Sequence, residues 1–293
     1  MRVERLLRGM RSLPTLPDVA LDVVTQLEDP DFDLRRVAVR LERDGVLAAR
    51  LVGMANSAFY GGCSEIVSVR EAIVRLGARA SRSTILSVAI MGSVPRLPEP
   101  LSARRFWVFG LGSAICARQI APDLGYGDAD RAYLGALVHR LGDAFLAMAE
   151  KNRYAAAWHA SQRSGAALAL SLEKEFGIAP TALAARVLRE WGLPGELADA
   201  VEHCHAPDET DEAPELALLI WIAGRVAREL GLGFDPVASR ESPAPLRREL
   251  ELLGYDGLVR YLESQEDFTA QVRRLGDQFA PASSPRPGRP LNA

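Results

Sequence analysis

The chain carries only four histidines and three cysteines in 293 residues, and this scarcity limits the chemistry open to it. Cys63, Cys116 and Cys204 are odd in number, far apart and free of any CxxC pairing, which argues against a disulfide framework or a zinc ribbon and for reduced thiols. No stretch approaches the roughly 20 uninterrupted apolar residues of a membrane span. The arginines at the N-terminus are not followed by an apolar run with a small-residue cleavage site, so the expectation is a cytosolic protein with no membrane contact. Positive charge is not in excess either. A net charge of −3 offers no general attraction to phosphate backbones, and direct nucleic-acid binding is not expected. Arg2, Arg5, Arg8 and Arg11 recur every three residues, which reads as a solvated helical face. Runs of alternating β-branched residues are nearly missing, and with them any basis for a sheet.

What remains is helical periodicity, and the expected fold is all-α, in two packed helical halves. Pro14 and Pro17 bracket the entry to a first helix with Val19, Val23, Val24 and Leu27 on one side. Asp33 is a plausible N-cap for a second helix, striped by Leu34, Val37, Ala38 and Leu41. A third runs from Gly45 to the stop at "ANSAFYGG". Ser68 and Glu71 have the spacing of a reciprocal capping box ahead of one long helix through Ile85 to Ile90. The segment "SVPRLPEPLS" has three prolines in ten residues and places the boundary between halves near residue 100. The expected division is a first helical subdomain over 1–100, a second over 101–280 and a disordered tail over 281–293, where "PASSPRPGRPLNA" has almost nothing apolar to bury. Beyond residue 100, helices are expected around 104–121, 129–149, 153–162, 165–175, 180–190, 195–204, 214–231, 244–253 and 265–279.

Enzyme templates find little purchase. There is no GxxxxGK phosphate loop and no GxSxG elbow. Gly110 and Gly112 begin a dinucleotide fingerprint, but Ile115 stands where its third glycine belongs, and no strand precedes it. Cys204 lies between His203 and His205, yet adjacency in sequence is not spatial pairing, so an activated thiol is weakly supported. A metal site needs several His, Asp or Glu side chains converging from different helices. His203 and His205, two apart, point in different directions on a helix, and His139 is followed by Arg140, a permanent cation that repels a metal ion. Asp143 falls one turn after His139. An atypical phosphohydrolase site around His139, Asp143, His203 and His205 is therefore the enzymatic alternative.

The motif "LAARLVGMANSAFYGG" ends an apolar helix at Asn56-Ser57, after which Phe59 and Tyr60 are expected to fold back onto the core. Taken with "LPTLPDVALDVV", "LERDGVLAARLVGMANSAFYGG", "SVREAIVRLGARASRSTIL", "LEKEFGIAPTALAARVLREWGLP" and "AVEHCHAPDE", it resembles the HDOD family, bacterial signalling domains related to the HD-type phosphohydrolases. The resemblance spans about residues 7–275 in order. It implies an N-terminal helical bundle packed on a degenerate HD-like bundle. It also implies a regulatory rather than catalytic role, with no cofactor. Against the HD pattern this chain departs at nearly every ligand position: Phe109 stands for the first histidine and His139-Arg140 for the His-Asp dyad. Pro180 replaces a further histidine and Gly224 the final aspartate, so that only Cys204 and His205 with their neighbour His203 keep a trace. These positions are expected to be vestigial, with no metal bound. The expected function is signal transduction through contact with a protein partner; a sensor that binds a nucleotide second messenger without cleaving it, through the vestigial pocket and Arg140, is a further alternative. Asn56, Tyr60 and the trio Arg75, Arg79 and Arg82, spaced on one helical face, are the candidate partner-binding residues.

Overall fold

A computed structural model describes residues 14–60, 64–94, 96–205, 215–236 and 266–279. Among these residues every regular element is a helix. The N-terminal half contains α1 (Asp18–Gln26), α2 (Leu34–Glu42), α3 (Gly45–Ala55), a 3₁₀ turn (Ala58–Tyr60) and α4 (Val69–Ser93). After a link that is non-helical over 96–102 come α5 (Ala103–Ile120), α6 (Ala129–Val138), α7 (Leu141–Ala149), α8 (Lys151–Ser164) and α9 (Leu168–Phe176). Next are α10 (Pro180–Glu190), α11 (Gly195–His203), α12 (Glu215–Glu229) and α13 (Glu266–Phe279). The arginine-rich N-terminus, Cys63, the helix expected at 244–253 and the tail over 281–293 lie outside the described residues.

The caps follow the sequence. Asp33 accepts from the backbone N–H groups of Arg35 and Arg36 at 2.9 and 3.1 Å and starts α2, and Asp44 does the same for α3. At α4, Ser68 Oγ accepts from Glu71 N at 3.2 Å, but Glu71 Oε2 reaches past the cap to the N–H of Val67, 3.3 Å away. The box is therefore shifted by one residue at its return bond. The expected unbroken helix of α4 is also corrected: Gly77 takes φ +75 and ψ 167, a conformation closed to most side chains, and breaks the helix inside the span.

α5 organises the second half. Every residue from Phe106 to Ala117 is buried, as an apolar sequence all around a helix requires, and α6, α12 and α13 pack on it. Gly112 lets Leu232 approach, for a Cβ there would stand 2.5 Å from Leu232 Cδ1. The halves are joined by packing of α4 on α6 and by α13, whose Phe268 meets Phe59 edge-on at 5.7 Å.

The single helix expected over 129–149 is two helices. The break falls at His139-Arg140, with Arg140 at φ −104 and ψ 9, in the sparsely populated bridge region. Just past the break, α7 starts hard against the first residue of α10: at Gly142 any Cβ would overlap the backbone carbonyl of Pro180. His139 and Arg140, at the break, are both buried.

Candidate functional site

The positions that sequence comparison marks as vestigial do converge. The rings of Phe109 on α5 and His139 at the end of α6 lie 5.5 Å apart. A Cβ added to Gly224 on α12 would stand 3.4 Å from His139 Nε2. Pro180 abuts Gly142, one residue before Asp143. His205 feels the charges of Arg140 and Arg228 and the ring of His139, so it belongs to the same cluster.

A cation lies at the centre of this cluster, and it is Arg140. Its Nε and one Nη donate to the two carboxylate oxygens of Asp143 at 2.9 and 2.7 Å, a bidentate pair in which Arg140 is 3% exposed and Asp143 not at all. Its other Nη lies 3.8 Å from Asp235, which pairs with Arg228 at 2.9 Å. The guanidinium also sits 4.8 Å above the ring of Phe234. Burial works against the charge on Arg140, but Asp143 outweighs it and the group holds its proton more tightly than usual. Two guanidinia and two carboxylates make the cluster electrically neutral. The buried hydroxyl of Tyr154, acting with burial and the nearby Asp143, is held well above the usual phenol range.

The histidines do not complete a metal shell. His139 Nδ1 lies 2.6 Å from Ala136 O, which makes it the donor and leaves Nε2 facing Gly224. Burial, with Arg140 and Arg228 adding repulsion, lowers the His139 pKa to about 3. His205 is lowered in the same way, by burial first and then Arg140. His203 turns back to Asp199 O at 2.8 Å, and His159 is exposed beside Gln162. Among the described residues no group of three or more His, Cys, Asp or Glu is placed to hold a metal ion. The residues present do not fit one: both carboxylate oxygens of Asp143 are taken by the Arg140 guanidinium and Asp235 lies between Arg140 and Arg228, so a metal ion would have to break buried pairs to find a carboxylate ligand. Cys204 is no nucleophile in waiting, since burial pushes its thiol up to about 12 and its Sγ lies 3.1 Å from Val201 O.

The candidate partner-binding residues are placed differently. Asn56 clamps the chain across ten residues, its amide donating to Ile66 O at 2.8 Å and its Oδ1 accepting from Ile66 N at 3.0 Å. Its backbone N–H serves the helix end, donating to Val52 O at 3.0 Å, while its side chain closes this loop. Arg75 joins the clamp, donating to Asn56 Oδ1 at 3.2 Å and to Ser64 O at 2.6 Å. Tyr60 packs at the junction of the halves, where Arg118 donates to its hydroxyl and lies between the rings of Tyr60 and Tyr133, 5.3 and 4.0 Å from their centroids. Asp130 completes that junction with a pair to Arg118 at 2.8 Å. Arg79 is exposed on α4, and Arg82 is 3.9 Å from Glu28. The structure thus brings Asn56 and Arg75 together and leaves Tyr60, Arg79 and Arg82 apart from them.

Sequence reasoning missed Asp235, Arg228 and Phe234. One signal was there to use: Arg228 follows Gly224 by four residues on α12, so the two share a face, and placing Gly224 at the site places Arg228 beside it. Asp235 comes after the helix, in irregular chain, where periodicity says nothing.

The likenesses to known proteins agree with this architecture. An HDOD domain protein of unknown function from Geobacter sulfurreducens aligns over 95% of this chain and 97% of its own at 24% identity and a TM-score of 0.79. A candidate phosphohydrolase from Shewanella amazonensis SB2B aligns over 94% and 98%, at 23% identity and a TM-score of 0.76. Identities this low speak for a shared fold. A curated, uncharacterized protein of Treponema pallidum (strain Nichols) is 26% identical over 136 residues, and the match spans 45% of this chain and only a quarter of that protein's length. The sequence profile of the HDOD domain matches residues 13–207, from the entry to α1 through the end of the His203–His205 segment. The chain belongs to the HDOD domain family.

Proposed function

We propose that this chain is a regulatory, non-catalytic HDOD protein that acts by contact with another protein, its ancestral metal position filled by its own guanidinium. The observation that carries the reading is the bidentate Arg140–Asp143 pair, buried beside Asp235 and Arg228. Removing either partner would leave a charge unpaired in the interior, so the cluster resists the rearrangement a metal ion would demand. A protein without a reaction centre has its surface as its output. On that surface Arg79 is exposed and Arg82 half-exposed beside Glu28, and they would meet an acidic group of the partner. Asn56, Tyr60 and Arg75 would shape that surface from within. A cytoplasmic setting suits this role, and no helix among the described residues is long and apolar enough to cross a membrane.

The test is turnover. Purified protein is incubated with magnesium, manganese or nickel and with bis-p-nitrophenyl phosphate, mononucleotides and cyclic dinucleotides. The expected outcome is no hydrolysis above buffer. Hydrolysis that disappears in Asp143→Asn would overturn the reading and restore a phosphohydrolase.

A further inference from the structure

α2 presents a second feature, remote in kind from the buried cluster. Its sequence LRRVAVRLE places Val37, Ala38 and Leu41 in the core. At 3.6 residues per turn, Arg35, Arg36, Val39, Arg40 and Arg43 then fall within an arc of about 140° on the opposite side. This arc lines an open cleft of about 510 Å³ whose other wall is Asp22 and Gln26 of α1.

The cleft has a surplus of positive charge. Its two carboxylates are already used: Asp33 by the backbone at the start of α2, and Asp22 by Arg40 at 2.7 Å and Gln26 at 3.1 Å. Arg35, Arg36 and Arg43 are exposed and make no side-chain hydrogen bond or ion pair with any described residue. Val39, in their midst, is 50% exposed. Such a surplus stands out in a chain whose net charge is −3. The guanidinia are also spread out rather than convergent. Arg36 and Arg43 are seven residues apart on the helix, about 10 Å along its axis. An extended peptide turns every second side chain to one face, so residues i, i+2 and i+4 share a face and span about 13 Å, a length that long guanidinium and carboxylate side chains bridge.

We infer that the α1–α2 cleft is a docking site for an extended acidic peptide of a partner protein, one with carboxylates four residues apart and an apolar side chain midway between them on the same face to cover Val39. The first carboxylate pairs with Arg36 and Arg35, the second with Arg43. A compact phosphate ligand would leave one end of the row unpaired. The inference deepens the protein-contact part of the proposed function and does not depend on the Arg140 cluster. Its failure would remove this partner chemistry and leave the turnover test untouched.

The probe is fluorescein-labelled acetyl-Glu-Asp-Leu-Glu-Asp-amide, followed by fluorescence anisotropy with the full chain. The expected result is saturable binding that weakens with added salt and weakens about tenfold or more in Arg35→Glu/Arg36→Glu/Arg43→Glu. That variant should fold normally, because all three sites are exposed and two of them, Arg35 and Arg36, lie in the first turn of α2 where a negative side chain suits the helix dipole; the third lies just past the helix end. The corresponding Arg→Gln variant provides the same reading with a smaller charge change. A control with equal charge change, Arg70→Glu/Arg96→Glu/Arg163→Glu, should bind within about twofold of the unaltered chain. Equal loss in both triple variants, or binding no tighter than that of the Gln-Asn-Leu-Gln-Asn peptide, would overturn the inference. So would saturable binding of inorganic pyrophosphate in the cleft with none of the peptide.

Discussion

Replacing Arg140 by methionine keeps much of the side-chain volume and removes the charge that Asp143 faces. Asp143 is fully buried and both of its carboxylate oxygens accept from Arg140, so the variant leaves an ionised group in the interior with its main partner gone. Breaking a buried pair in this way costs about 3–5 kcal/mol. Asp235 loses less, because Arg228 still pairs with it at 2.9 Å. With a urea dependence of about 3 kcal/mol per molar or more for a chain of this size, the unfolding midpoint followed by circular dichroism should fall by about 1 M. The double variant Arg140→Met/Asp143→Leu removes both charges and should recover most of that loss, since apolar replacement of a whole buried pair is often close to neutral. The two single variants and the double variant form a cycle whose coupling should exceed about 2 kcal/mol. A single Arg140→Met variant within 1 kcal/mol of the parent, or a double variant as unstable as the sum of the singles, would refute the reasoning.

Three further outcomes are expected. His139 is held neutral in the fold, so the unfolded chain takes up its proton first. The stability this contributes is complete above the ordinary value of 6.5 and drains away as pH falls towards about 3. Proton NMR of the imidazole should show no titration between pH 8 and 5, and Arg140→Met should move its pKa upward; a midpoint near 6.5 in the parent chain would contradict this. Gly142→Ala forces a Cβ onto the Pro180 carbonyl and should cost several kcal/mol or prevent folding, measured by soluble yield and thermal melting. Asn56→Ala opens the clamp on Ile66 and should cost about 1–2 kcal/mol while making the chain between residues 56 and 66 a preferred site of limited proteolysis; an unchanged digestion pattern would show the clamp to be dispensable.

The helices were legible because their signals are local. The stripe of α2 and its Asp33 cap, the capping serine of α4 and the bounds of α10 at Pro180–Glu190 all emerge from spacing and end residues. The break between α6 and α7 was not, because nothing in "LVHRLGDAF" interrupts apolar periodicity; the contact that Gly142 admits there, with the Pro180 backbone, comes from a distant part of the chain. The same limit applies to the site. Resemblance placed Phe109, His139, Arg140, Pro180, His205 and Gly224 in one neighbourhood, which the fold brings together. It could not say what the arginine faces. Asp235 comes from irregular chain after α12, and its approach to Arg140 and Arg228 is a tertiary fact with no periodic trace. Arg75 illustrates the converse: helical spacing put it on a surface face with Arg79 and Arg82, but a long side chain with five donors bends back to the carbonyl of Ser64 when a loop offers one.

On the proposed reading, a guanidinium occupies the place where relatives of the HD type would hold a metal. Manganese loading tests it most directly: the purified chain is saturated with Mn²⁺, passed through a desalting column, and analysed by mass spectrometry for metal and by electron paramagnetic resonance for the ion's environment. The expected result is a trace of manganese that is the same in the parent chain and in His139→Asn. One equivalent of manganese per chain, lost in His139→Asn, would contradict it.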